Sequence, residues 1–194
     1  MYPINFTHIA NSVLLILGET EDVKDVENID ENSTSLEIKF NKCSYDIYVR
    51  ALKKMLPNFA MITLEVDYED KLIKPTDCVT LIKVNNNKRF NIIGNEIVLD
   101  PSRYVNRIIA VRAKNPDTET ATKQAKLVYI SNNKDLLQYA DVDFIEYLEY
   151  SFIKQIGYNI TKNSNLVEKK IQEMQQFEIN MKFHINNDNK TPYL

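Results

Sequence analysis

Ile62-Thr63-Leu64-Glu65-Val66-Asp67-Tyr68 is the stretch where the chain changes period. Apolar Ile62, Leu64, Val66 and Tyr68 alternate with polar Thr63, Glu65 and Asp67, the pattern of a strand with one buried face. Both flanks of this middle region instead space their apolar residues by three and four. Helices therefore bracket strands, and the fold class is α+β. Val79–Val84 is short and rich in β-branched residues. Phe90–Ile93 and Glu96–Leu99 are separated by Gly94-Asn95 alone, a two-residue hairpin signal. Tyr104–Ala113 and Ala125–Ile130 read as a further strand pair, joined by the polar loop tip Asn115–Gln124.

Four helices are predicted around these strands. The first carries Phe6, Ile9, Ala10, Val13, Leu14 and Leu17 on one face, and Gly18 follows where a left-handed cap belongs. Glu19–Asn32 is polar, has no strong period and reads as a loop or a short turn of helix. Thr34 and Glu37 have capping-box spacing and open the second helix, whose stripe is Leu36, Phe40, Cys43, Ile47, Ala51 and Met55. At roughly 1.5 Å per residue it would be about 33 Å long, and Pro57 ends it. Asp141 or Asp143 caps a third helix through Ile145, Leu148, Phe152, Ile156 and Ile160. Asn163-Ser164-Asn165 breaks it, and Asn165 with Glu168 starts a fourth lined by Val167, Ile171, Met174, Phe177 and Met181. The expected organisation is a helical bundle from residues 1–57 and 135–185. An antiparallel β-rich insertion, 58–134, projects from it, and 186–194 form a loose tail.

Composition removes the common enzyme classes. The chain has 194 residues, 44% hydrophobic and 26% charged, enough for one well-filled core. No run approaches the roughly 18 apolar residues that span a bilayer, and Val13–Leu17 is too short for a signal-peptide core. A cytoplasmic protein with no membrane contact is expected. The formal charge of −3 leaves no global basic field to pull the chain onto nucleic acid. Only three glycines occur, too scattered for a phosphate-cradling loop or a dinucleotide fingerprint. His8 and His184 lie far apart with no cysteine cluster beside them, so no metal and no cofactor is expected. Cys43 and Cys78 read as half-buried thiols.

The candidate chemistry is thin. Helix capping accounts for Asp141 and Asp143 more simply than an acid/base pair. The acidic run Glu65, Asp67, Glu69 and Asp70 lacks the glycine and spacing of a calcium loop. Ser44 and Ser151 have no nucleophile-elbow context, and Lys53-Lys54 and Lys169-Lys170 fall on polar helix faces. No enzyme is expected. Tyr45 and Tyr48, then Tyr147 and Tyr150, lie three apart on helices and partly off the apolar stripes. They read as core margin or as a subunit interface, where tyrosine is enriched. In the polar loop, Asp117, Thr118, Glu119, Thr120 and Thr122 have almost no apolar residue among them and read as a solvent loop or as a partner-facing tip.

An ordered set of short motifs resembles the head-to-tail adaptors of tailed phages, the tail tubular protein A type. The first helix ends Ile16-Leu17-Gly18-Glu19, similar to that family's leucine-glycine-glutamate. Ala51-Leu52 and Pro57-Asn58-Phe59-Ala60 are similar to its proline-tryptophan-asparagine-phenylalanine-alanine, although this chain has no tryptophan. Pro75-Thr76-Asp77-Cys78 with Val79 and Leu81 resembles its proline-serine-aspartate-cysteine-leucine. Phe90–Ile97 is similar to its hairpin around a glycine, and Asp143-Phe144 to the opening of a long helix. Asn106–Ile130 is longer than that pattern. The resemblance implies a structural virion protein, assembled in the host cytoplasm. Its copies would form a dodecameric ring between the portal and the tail or nozzle proteins, through which DNA passes unread. It further implies that the bundle anchors the ring and that the β part, with Asp117–Thr122, faces the tail. The competing expectation is a small cytoplasmic regulatory or nucleic-acid-associated binding protein, which would need a basic helix face.

Overall fold

The computed structural model describes residues 4–99, 123–173 and 175. The fold is α+β and divides into two compact units. One comprises the described residues of Met1–Phe59 and Lys134–Leu194, the other those of Ala60–Asn133.

The first unit is helical. Helix α1 spans Phe6–Ile16, with Asn5 as N-cap accepting from the His8 amide. It closes in a Schellman motif. The Glu19 amide reaches the Leu14 carbonyl, the Gly18 amide reaches Leu15, and Gly18 supplies φ +78°. Helix α2 spans Ser35–Met55, and the expected capping box of Thr34 and Glu37 is complete in both directions. Helix α3 spans Val142–Thr161. Its cap is Asp141, whose carboxylate accepts the Phe144 amide at 2.8 Å, while Asp143 sits in the first turn where the helix dipole favours it. Residues 164–173 are helical as well. Their cap is Asn163, not the expected Asn165, because Lys162 turns the chain at φ +56° and leaves the Asn163 side chain to meet the Leu166 amide. Val167 of this stretch lies over Gly157, where a side chain would meet it at 3.3 Å.

Aromatic rings knit the helices together. Phe6 of α1 meets Tyr48 of α2 edge-on at 5.7 Å, Tyr48 meets Phe144 of α3 at 6.1 Å, and Phe40 meets Phe152 at 5.5 Å. Arg50 donates to Gln155 Oε1 at 2.6 Å along the outside of the α2–α3 seam. The segment between α1 and α2, expected as a loop or a short turn of helix, holds no helix and is strapped down. Val23 and Val26 are buried, and Asn11 exchanges two hydrogen bonds with the Val23 backbone. The Val26 amide reaches Thr7 Oγ1 and its carbonyl accepts from Asn41. Two valines in a polar stretch are too few to make a periodic signal, yet enough to pin a loop once side-chain amides satisfy its backbone.

The second unit holds two antiparallel sheets. Strands β1 (Met61–Tyr68), β6 (Lys123–Ser131) and β3 (Cys78–Val84) form the first, in the order β1-β6-β3. Strands β2 (Leu72–Ile73), β5 (Glu96–Leu99) and β4 (Phe90–Ile93) form the second, in the order β2-β5-β4. Leu72 and Ile97 from one sheet and Cys78, Leu81, Val84, Ala125, Leu127 and Tyr129 from the other share a buried core. The predicted hairpin is present, with Ile93 opposite Glu96 and Gly94 at φ +62°, which the first position of a type II′ turn demands. The turn after β3 was not foreseen. Asn85 and Asn86 both hold positive φ, and Val84 and Asn87 exchange backbone hydrogen bonds, a type I′ arrangement.

Two strand expectations are corrected. Both edges of β6 are taken, by β1 and β3, so no place remains for the pairing of Ala125–Ile130 with Tyr104–Ala113. Lys123 and Gln124 belong to β6, opposite Tyr68 and Asp67, and not to a loop tip. Tyr104–Ala113, the rest of the loop with Asp117, Thr118, Glu119, Thr120 and Thr122, the positions Met174, Phe177 and Met181, and 186–194 lie outside the described residues.

Candidate functional site

The four tyrosines singled out from sequence separate in the structure. Tyr48 is fully buried between Phe6 and Phe144, and burial pushes its hydroxyl up to about 12. Tyr147 and Tyr150 are also buried, their rings 6.5 Å apart. Lys54 Nζ lies 4.7 Å from the Tyr147 ring and Lys154 Nζ 5.8 Å from the Tyr150 ring, so a lysine covers each. Only Tyr45 presents a face, with 44% of its surface exposed and Lys134 Nζ 5.9 Å from its ring. Of the two readings, core margin and subunit interface, the first therefore holds for Tyr48, Tyr147 and Tyr150, which belong to the core of the subunit itself, and the interface reading is corrected for these three. The reason is stripe width. Helix α2 packs along α3 and also meets Phe6 of α1 and the strap that joins α1 to α2, so its buried face takes the neighbouring pairs Cys43-Ser44, Ile47-Tyr48 and Ala51-Leu52 rather than a single row.

Other groups that sequence reading weighed for chemistry have structural partners. Ser44 Oγ donates to the Asn41 carbonyl and Ser151 Oγ to the Tyr147 carbonyl, both along their own helices. Cys43 and Cys78 are free and buried, and burial pushes both thiols up to about 11, which keeps them protonated and unreactive. Among the described residues, no group of three or more His, Cys, Asp or Glu is placed to hold a metal ion. Among the same residues, no helix is long and apolar enough to cross a membrane.

Two carboxylates organise the fold locally. Asp77 accepts the Ser131 hydroxyl at 2.6 Å and the Tyr129 hydroxyl at 3.2 Å, and its carbonyl accepts the Asn132 amide. These bonds tie the start of β3 to the end of β6. Burial, the Asp77 charge and the hydrogen bond to it push the Tyr129 hydroxyl up to about 12. Glu37, in the helical unit, is buried and takes the amides of Thr34, Lys24 and Asp25. The first two hold its carboxyl down at about 2 against the opposing effect of burial.

What the surface offers is apolar. The helical unit exposes Leu15, Tyr139, Val142 and Tyr158 beside Tyr45. In the β unit Ile73 and Ile93 both lie opposite Glu96, one on each side of it, and so share a face of the second sheet. They are 51% and 68% exposed. Sequence reading missed this pair, although one signal was available. Ile92 and Ile93 are adjacent in a four-residue strand and must point to opposite faces, so one of them faces outward. No family model and no curated protein matches the chain.

Proposed function

We propose that the protein is a structural virion component, a head-to-tail adaptor whose copies close into a dodecameric ring between the portal and the tail or nozzle proteins. The observation that carries this reading is where the resembling motifs fall. Leu17-Gly18-Glu19 is the Schellman close of α1. Pro57–Ala60 spans the point where the chain passes from the helical unit to the β unit. Pro75–Cys78 supplies the Asp77 tie between β3 and β6. Phe90–Ile97 is the hairpin of the second sheet. Residues at such junctions answer to backbone geometry, so a likeness there constrains the fold more than a likeness along a solvated helix face.

The physics of a conduit is in keeping with this composition. Every phosphate–lysine contact adds affinity and salt dependence and slows passage, and a subunit of net charge −3 has no surplus of cations to make them. The reading includes no catalytic step and no cofactor. Among the described residues, Tyr45, Tyr139 and Tyr158 are the exposed aromatic residues of the helical unit that would be offered to neighbouring copies or the portal, and Ile73 and Ile93 would be the β unit's offer to the tail. The particle would assemble in the host cytoplasm and remain in the virion. Electron micrographs of the purified protein test the reading: rings with a central hole are expected, and a uniform field of single subunits would contradict it.

A further inference from the structure

The outer side of the α2–α3 seam is basic, and both helices build it. Lys39 Nζ donates to the Asn159 carbonyl at 3.4 Å, and Arg50 reaches Gln155. Lys54 stands at the Tyr147 ring, Lys154 at the Tyr150 ring, and Lys162 Nζ lies 5.9 Å from the Tyr158 ring. From Tyr147 to Lys162 the seam runs about 22 Å at roughly 1.5 Å per residue. Acids are scarce along it. Apart from the buried capping residue Glu37, α2 has only Asp46, and the acids of α3, Asp143, Glu146 and Glu149, all precede Tyr150.

The opposite charge gathers in the strap between α1 and α2. Between Glu19 and Ser33 the chain carries seven acids and one lysine. Glu21, Asp22, Asp30 and Glu31 are exposed. The Lys24 amide donates to Glu37 and Asn41 donates to the Val26 carbonyl, which holds the strap against α2. Asn41 and Arg50 are about two and a half helical turns apart and so lie on opposite sides of α2. One subunit therefore cannot bring its own strap to its own seam. Among the described residues, no strap acid and none of Lys39, Arg50, Lys154 and Lys162 forms an ion pair. Each surface also exposes one large apolar side chain, Ile29 at 38% in the strap and Tyr158 at 55% in the seam.

We infer that the acidic strap of one copy docks on the basic α2–α3 seam of the next, with Ile29 against Tyr158. Opposed charges would steer and orient the encounter, and the apolar pair would add buried area. Strap and seam are different surfaces, so the contact is head-to-tail, the kind that closes into rings. Covered by a neighbour's acids, the seam cations would not reach DNA in the lumen, in keeping with a conduit. The inference rests on the ring reading and names the contact that builds the ring.

Two charge reversals test it, Arg50→Glu/Lys154→Glu in the seam and Glu21→Lys/Glu31→Lys in the strap. Native mass spectrometry reads each variant alone, the two mixed in equal amounts, and wild type. Wild type should give one closed oligomer and each reversed variant only monomer. The mixture should restore an oligomer in which the two variants alternate, a rescue that a misfolded chain could not give. Reversed variants that assemble like wild type, or a mixture that stays monomeric, overturn the inference, while closed wild-type oligomers leave the ring reading standing. Open wild-type chains of many lengths, lost on either reversal and regained on mixing, keep the contact and remove the ring. A wild-type monomer at every concentration removes both. Seam reversal that abolishes retention of duplex DNA on a filter but spares the oligomer assigns the seam to nucleic acid, and the inference falls.

Discussion

Glu37 does two jobs with one carboxylate. Its capping-box role follows from the spacing to Thr34, but its second role, receiving the Lys24 and Asp25 amides, depends on a loop whose course no local pattern announces. Its folded value of about 2 lies below the ordinary 4.5. The stabilisation it provides is therefore complete above 4.5 and is lost as pH falls from there towards 2. Glu37→Gln should cost about 2 kcal/mol at neutral pH, since hydrogen bonds to a charged acceptor are the strong ones. It should also flatten the acid side of the stability profile, which urea titrations from pH 7 to pH 3 would show. The tyrosines make a second residue-scale contrast. Tyr48→Ala empties a core site and should cost about 4 kcal/mol, whereas Tyr45→Ala should cost under about 1 kcal/mol. Equal urea midpoints for the two variants would refute the assignment of Tyr48 to the core.

At the scale of elements, legibility follows the range of the interaction. The caps of α1 and α2 and the Phe90–Leu99 hairpin depend on residues a few positions apart, and each is present where the sequence points. Pairing of β1 with β6 joins segments about sixty positions apart and left no mark except alternation in β1. The same distance hid the occupation of both β6 edges, so the strand partner proposed for Ala125–Ile130 was a sequence neighbour and not the true one. Stripe width on α2 was misjudged for a related reason: how many neighbours a helix meets is a property of the packed unit. Gly94 gives an element-scale prediction. An added Cβ there meets nothing within 4 Å, so Gly94→Ala is penalised by the φ of +62° alone. The cost should be about 1 kcal/mol. Faster amide exchange confined to β4 and β5 would locate it, and an unchanged midpoint would argue against the turn.

At the scale of the molecule, the candidate site was far less legible than the fold. An interaction surface has no required side chain comparable to a nucleophile or a metal ligand. Sequence reading reached for tyrosines by residue type, and burial then removed three of the four. Adjacent Ile92 and Ile93 signal that one isoleucine faces outward, but that Ile73 and Ile93 share a face follows only from the strand pairing that sets them on either side of Glu96. Acidic balance and scarce glycine make an enzyme or a nucleic-acid reader unexpected, and the ordered junction motifs carry the proposal of an adaptor. These arguments converge on assembly, so the decisive measurement is of mass. Native mass spectrometry of the protein, alone and mixed with a portal ring, should give one closed oligomer that then adds to the portal as a single unit. A monomer at every concentration, and no complex with the portal, would contradict the account.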